Sequence, residues 1–176
     1  MSPANGAKIA AAVLVMALAL AMPAAADVRR FADAANDAST SVDIRSVRVD
    51  NSTTARDQII VVVRQVNVRL GDAIEIFLDT RPGDPGPEYS IGGATASEYL
   101  LRHREHWKGH GRVVPFRCGY SLRINAETDR SRAVIQRSCL RHPGKVRVAI
   151  RAVRGFPSTS RDWEPARRTW SRWVRR

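Results

Sequence analysis

Between Cys118 and Cys139 the sequence leaves little freedom. In an extended chain Cys118, Tyr120, Leu122 and Ile124 fall on one face, and Gly119, Ser121, Arg123 and Asn125 on the other. Folding the segment about Thr128-Asp129 sets Cys118 opposite Cys139, Leu122 opposite Ile135 and Ile124 opposite Ala133. One register satisfies both the two-residue side-chain period and the cysteine pairing. The sequence therefore predicts an antiparallel hairpin closed by a Cys118–Cys139 disulfide. A catalytic thiol would need a free cysteine, and this pairing uses both.

The same period recurs along the chain. Val42-Asp43-Ile44 alternates in one phase and Val47-Arg48-Val49 in the other, which predicts a bulge near Arg45-Ser46. Ile59 to Val63 is a continuous β-branched run, as in a strand buried on both faces. It passes into Val66 to Leu70, then a Gly71-Asp72 turn, then Ile74, Ile76 and Leu78 on one face, which reads as a hairpin or bent pair. Residues 81–87 hold three prolines and two glycines and predict a loop. Tyr89 to Ile91 returns to strand and Gly92-Gly93 reads as a turn. Residues 96–107 fit either a strand or a short helix. Val113 to Phe116 reads as an edge strand interrupted by Pro115. Lys145 to Arg154 predicts a strand with Val146, Val148, Ile150 and Ala152 inward and Arg147 and Arg151 outward. About eight or nine short strands with almost no helical period predict an all-β antiparallel sandwich, jelly-roll-like, with one disulfide. A 150-residue domain buries about 70% of its unfolded surface, and residues 27–176 read as one such domain.

Residues 1–26 have the pattern of a secretory signal. Lys8 precedes an apolar run from Ile9 to Met22, Pro23 breaks it, and Ala24-Ala25-Ala26 offers small side chains for cleavage. A spanning helix needs about 20 apolar residues, more than this run supplies. The expectation is a secreted protein from Asp27 to Arg176, with no membrane segment after cleavage.

Charge is unevenly distributed. Residues 27–100 carry 8 basic and 12 acidic side chains, residues 101–139 carry 9 and 3, and residues 140–176 carry 11 and 2. A basic surface near the C-terminal strands follows. Trp170 and Trp173 sit among Arg167, Arg168 and Arg172. Indoles stack on sugar rings and guanidinium groups fork onto phosphate or carboxylate, so these five residues are the candidate contacts for a glycan or an anionic polymer. The alternative is that the indoles anchor the last strand while the arginines stay solvated, and for Trp163, beside Pro165, we prefer that reading. Export and the lack of a recognised motif argue against nucleic acid as partner.

Asp79, Asp84 and Glu88 bracket the Pro/Gly loop. Carboxylates and loop carbonyls are the hard oxygen ligands that Ca²⁺ takes, although the spacing is not an EF-hand and Arg81 lies among them. We prefer an ordered turn in which these carboxylates cap backbone N–H groups. His103, His106 and His110, near Glu105, would share a helix face, but Gly109 and Gly111 oppose that helix, and the plainer reading is three histidines in an Arg-rich loop. No nucleophile elbow, phosphate loop or dinucleotide fingerprint occurs. The sequence calls for no cofactor.

The segment Leu78-Asp-Thr-Arg-Pro-Gly-Asp-Pro-Gly-Pro-Glu-Tyr89 resembles the Leu-Asp-Thr-x-Pro…Pro-Gly-Pro-Glu/Asp-aromatic segment of small secreted actinobacterial proteins of unknown function. Trp107, the Cys118 and Cys139 pair, and Asp162-Trp163-Glu164-Pro165 match further features of that group. The resemblance implies a β-sandwich, loosely similar to sugar- and haem-binding sandwich domains, and implies no activity. The leading expectation is thus a secreted, non-catalytic protein that binds glycans or anionic cell-envelope polymers. A protein-interaction or inhibitor module without a small ligand is the second reading, and a hydrolase whose site residues lie far apart in sequence is the third.

Overall fold

The computed structural model describes residues 27–34, 37–38, 42–84, 86–155 and 160–176. Residues 1–26, expected from the sequence to be a secretory signal, lie outside the described residues. The strands are β1 (Val28–Ala32), β2 (Ile44–Asp50), β3 (Gln58–Gln65), β4 (Ala73–Asp79), β5 (Tyr89–Ala94), β6 (Tyr99–His103), β7 (Arg112–Val113), β8 (Tyr120–Asn125), β9 (Arg130–Gln136), β10 (Lys145–Arg154), β11 (Ser160–Glu164) and β12 (Val174–Arg175). The extra strands beyond the eight or nine expected come from short or edge pieces. β7 and β12 have two residues each, and β1 is largely exposed.

Two antiparallel sheets make a sandwich. One runs β1-β2-β3-β9-β8; the other runs β11-β10-β4-β5-β6-β7, with β12 pairing on β10. The facing sides carry Val47, Val49, Ile59, Val61, Val63 and Ile135 from the first sheet and Ile74, Ile76, Leu78, Ile91, Val148 and Ile150 from the second, all at or below 2% exposure. Each such side chain contributes about 1.5–3 kcal/mol when removed from water. The phase slip in β2 is real: its register with β3 shifts between Ile44 and Ser46, which lets Ile44, Val47 and Val49 all face inward. Lys145–Arg154 is one strand with the expected inward face.

Four local expectations change. The β8–β9 register pairs Tyr120 with Ile135 and Leu122 with Ala133, two residues away from the register first drawn. The disulfide is present, with a Cα–Cα distance of 5.4 Å, but neither cysteine is a strand residue. Each lies in a short 3-10 turn, Phe116–Cys118 and Arg137–Leu140, and the strands are joined by a longer loop in which Asp129 takes φ 51°. An even shift keeps every side chain on its face, so Tyr120 and Leu122 remain buried.

Gly92-Gly93 is not a turn but the end of β5. A Cβ at Gly93 would sit 2.9 Å from Glu98 O and 2.9 Å from the Tyr99 side chain, so glycine here serves close strand approach. β3 and β4 do not pair. Residues 66–72 carry the chain from one sheet to the other, with Leu70 left 81% exposed. The strand around Val113 ends before Pro115, which opens the 3-10 turn. The ambiguous 96–107 stretch resolves as β6 followed by an irregular loop.

Candidate functional site

The seven-stranded sheet is covered on its outer side as well. On β4 the residues between the core positions are Glu75, Phe77 and Asp79; on β10 they are Lys145, Arg147, Ala149 and Arg151. The register sets Arg151 opposite Glu75, Ala149 opposite Phe77 and Arg147 opposite Asp79. Both charged rows close into ion pairs, Arg151 Nη2 to Glu75 Oε2 at 2.5 Å and Arg147 Nε to Asp79 Oδ2 at 2.6 Å. Cross-strand neighbours at this spacing are where opposite charges help a sheet most. Ala149 offers only a methyl, and the Trp163 ring of β11 lies nearly parallel to Phe77, centroids 5.6 Å apart.

The other three indoles join this face. Trp107, from the loop after β6, packs on Phe77 at 5.2 Å and on Trp170 at 4.5 Å. The Arg147 guanidinium lies 5.3 Å from the Trp170 ring and 4.7 Å from Trp173, and Lys145 Nζ lies 4.8 Å from Trp173. These separations are in the range of cation–π attraction. All four tryptophans are half-buried. Trp163 and Trp170 thus anchor structure and line a surface at the same time.

Next to Trp107 and Trp163 a cleft of about 380 Å³ opens, lined by Arg102, Arg104, Lys108, Arg151 and Arg168 and by one carboxylate, Glu75. That volume lies in the range of small-molecule sites, about 300–1,000 Å³. Glu75 already serves Arg151 and, at 3.5 Å, Arg104. Arg102, Lys108 and Arg168 have no ion-pair partner among the described residues. Arg104 is buried, and that burial pulls its guanidinium below the ordinary value while Glu75 works against it. Arg104 Nη2 also donates to Trp107 O at 3.0 Å and so fixes the loop that carries the indole.

Of the residues singled out in the sequence, Arg168 lines this cleft; Arg167 and Arg172 are exposed. Trp170 flanks it by packing on Trp107, whereas Trp173 lies against Arg147 and Lys145, which do not line it. Arg102, Arg104 and Lys108 were not singled out, and Trp107 and Arg151 entered only as a feature of the resemblance and as an outward strand residue, not as contacts. The signal for Arg102, Arg104, Trp107 and Lys108 is the same aromatic-among-cations composition, repeated in residues 102–112.

The acidic loop is organised by internal bonds. Glu88 Oε2 accepts from Thr80 N at 2.5 Å, Asp79 Oδ1 accepts from Arg81 N at 3.0 Å, and exposed Asp84 lies 3.5 Å from Arg81. Burial raises the Glu88 carboxyl above its usual range, and the Thr80 N–H counters it. The structure does not bring Asp79, Asp84 and Glu88 to one point. The histidines separate: His103 and His106 line a cavity of about 350 Å³ beside this loop, and His110 lines the tryptophan cleft. His103 sits edge-on to Tyr89, and burial, then Arg112, lowers its imidazole below the ordinary value.

Among the described residues, the side chains that converge as metal ligands would are Asp33, Asp37 and Asp162, with carboxylate oxygens within 4.8 Å of one another. Glu164 joins them through a hydrogen bond to Asp33. Burial, then Asp33, push Glu164 to about 8, and burial, then Asp162, push Asp33 to about 6. Shared protons relieve the repulsion.

No protein-family model, curated protein or solved structure matches this chain. The geometry alone carries the functional reading.

Proposed function

We propose that the protein is an exported, non-catalytic binder of anionic envelope polymers or glycans, and that it engages them with the outer face of the seven-stranded sheet. The observation that carries this reading is the cleft beside Trp107 and Trp163, where five cations meet a single carboxylate that two of them already share. Uncompensated guanidinium groups around a concavity attract anions and focus the field on it. The disulfide fits an oxidising compartment, and among the described residues no helix is long and apolar enough to cross a membrane.

The test is binding to immobilised heparin and teichoic acid in low and high salt, for wild type and for the Arg102→Gln, Lys108→Gln, Arg168→Gln triple variant, which removes the three cleft cations without an ion-pair partner among the described residues. Wild type should bind at low salt, lose affinity as screening shortens the Debye length to about 8 Å at physiological salt, and bind more tightly than the triple variant. Equal retention of the two proteins would refute the reading. The packing of Trp107 against both Trp163 and Trp170 favours a second reading, an interaction surface for a partner protein, which would show salt-insensitive capture and no polymer binding.

A further inference from the structure

We infer that the cleft recognises an acidic sugar, a pyranose ring carrying its own anionic group, and not a bare oxyanion such as phosphate. The inference rests on the proposed polyanion-binding function and narrows its ligand. Three kinds of group meet in the cleft. Arg102, Arg168 and Lys108 supply positive charge that no described carboxylate neutralises. Trp107 and Trp163 supply aromatic wall, with centroids 6.2 Å apart and planes inclined at 66°, so they form a corner and do not stack on one another. Glu75 supplies acceptor oxygens, oriented by Arg151 and Arg104.

A phosphate or sulfate ion would use the cations, leave the indoles idle and be repelled by Glu75. A neutral sugar would use the indoles and Glu75, and leave the cations unmatched. A ring that bears an anionic group uses all three: the charge meets the guanidinium groups, the C–H face lies on an indole, and ring hydroxyls donate to Glu75. The volume, about 380 Å³, suits one or two sugar units of a longer chain. Arg104 contributes by position. Its bond to Trp107 O sets the indole against the charged wall, so charge and stacking are presented together.

The experiment uses the full chain and titrates tryptophan fluorescence and heat at low salt with hexagalacturonate, its methyl ester, dextran sulfate, and polyphosphate of matched charge. Hexagalacturonate or dextran sulfate should bind about tenfold tighter than polyphosphate, and the methyl ester should bind about tenfold more weakly than the free acid. The stronger of the two acidic arms identifies the anionic group. Trp107→Leu should weaken acidic-sugar binding about three- to tenfold, the worth of one aromatic contact, and leave polyphosphate binding unchanged. Arg168→Gln, at an exposed position, should weaken both.

If polyphosphate binds as tightly as either acidic sugar, the cleft reads charge alone; this inference falls and the polyanion reading stands. If the methyl ester binds as well as the acid, the anionic group is not recognised and the inference also falls. If no acidic polymer binds at low salt, the proposed function falls with it. Should Trp107→Leu fail to fold, the ranking of probes on wild type still decides.

Discussion

Arg147 and Asp79 stand directly opposite one another on β10 and β4, and the guanidinium holds Asp79 Oδ2 at 2.6 Å from Nε and 2.5 Å from Nη2. The carboxylate has no exposed surface, while the other side of the same guanidinium covers Trp170 and Trp173. One arginine thus settles a buried charge and seats the C-terminal aromatics. Breaking a buried pair from one side leaves the other charge stranded, at about 3–5 kcal/mol. Arg147→Met should therefore destabilise by that order in urea unfolding. Adding Asp79→Asn should restore part of the loss, and a strictly additive double variant would show that the pair is not coupled.

The carboxyl cluster predicts an unusual slope of stability with pH. Glu164 and Asp33 have folded values of about 8 and about 6 against ordinary values of 4.5 and 3.8. Raised acids favour the folded state when protonated, so their contribution is complete below about pH 4 and is lost as pH rises through 6 and then 8. Asp162 is raised as well, mainly by burial, with Asp37 and Asp43 adding negative charge, while Arg45 is held by Asp43 at 3.0 Å. His103 slopes the other way, since its lowered value favours the fold as pH rises. Melting at pH 5 should exceed melting at pH 9 by at least about 3 °C. Glu164→Gln, which keeps a donor for Asp33, should shrink the difference; an unchanged slope would assign it to other groups.

The disulfide closes a loop across the β8–β9 hairpin, with a sequence separation of 21. Constraining the unfolded chain over such a loop stabilises by about 3 kcal/mol in the chain-entropy model. Free-thiol titration of the unreduced protein should find none. Cys118→Ser/Cys139→Ser should lower stability by that order while the strands persist in far-UV circular dichroism.

Gly111 separates the cleft from the sandwich experimentally. It has φ +64°, and a Cβ there would lie 2.3 Å from His103 O. Gly111→Ala must displace the 104–111 loop, with a strain of about 1–3 kcal/mol. The expected outcome is loss of acidic-polymer binding with a cooperative unfolding transition retained. Full binding by this variant would exclude the loop from the site.

Sequence pattern revealed those parts of the fold that obey a strict two-residue period. Val146, Val148, Ile150 and Ala152 face inward as their alternation requires, and the β2 phase slip marks an actual bulge. It failed where backbone proximity decides. Gly92 and Gly93 read as turn residues because what they avoid, the Glu98 carbonyl and the Tyr99 side chain, is set by strand pairing. The slip in the β8–β9 register arose because the cysteines looked like strand residues but sit in 3-10 turns. The cleft was only half legible. The Arg167–Trp173 stretch announced aromatics among cations, but Arg151, Trp107 and Arg102 come from other strands and loops, and only the sheet register brings them to Arg168.

Both sheets are closed at their centres by pairings between distant parts of the chain. Val61 of β3 meets Ala133 of β9, and Ile76 of β4 meets Ile150 of β10. Bringing such separated segments together costs loop entropy before any burial is gained, which places folding on the slow, millisecond-to-second side. A polypeptide emerging from its N-terminal end acquires neither central partner until β9 and then β10 have appeared. Until then Ile59 to Val63, paired only with β2, remains a β-branched run with its β9-facing edge open and no opposite sheet completed over it, prone to self-association. The Arg-rich second half thus supplies, late in synthesis, the strands that retire the chain's main aggregation hazard.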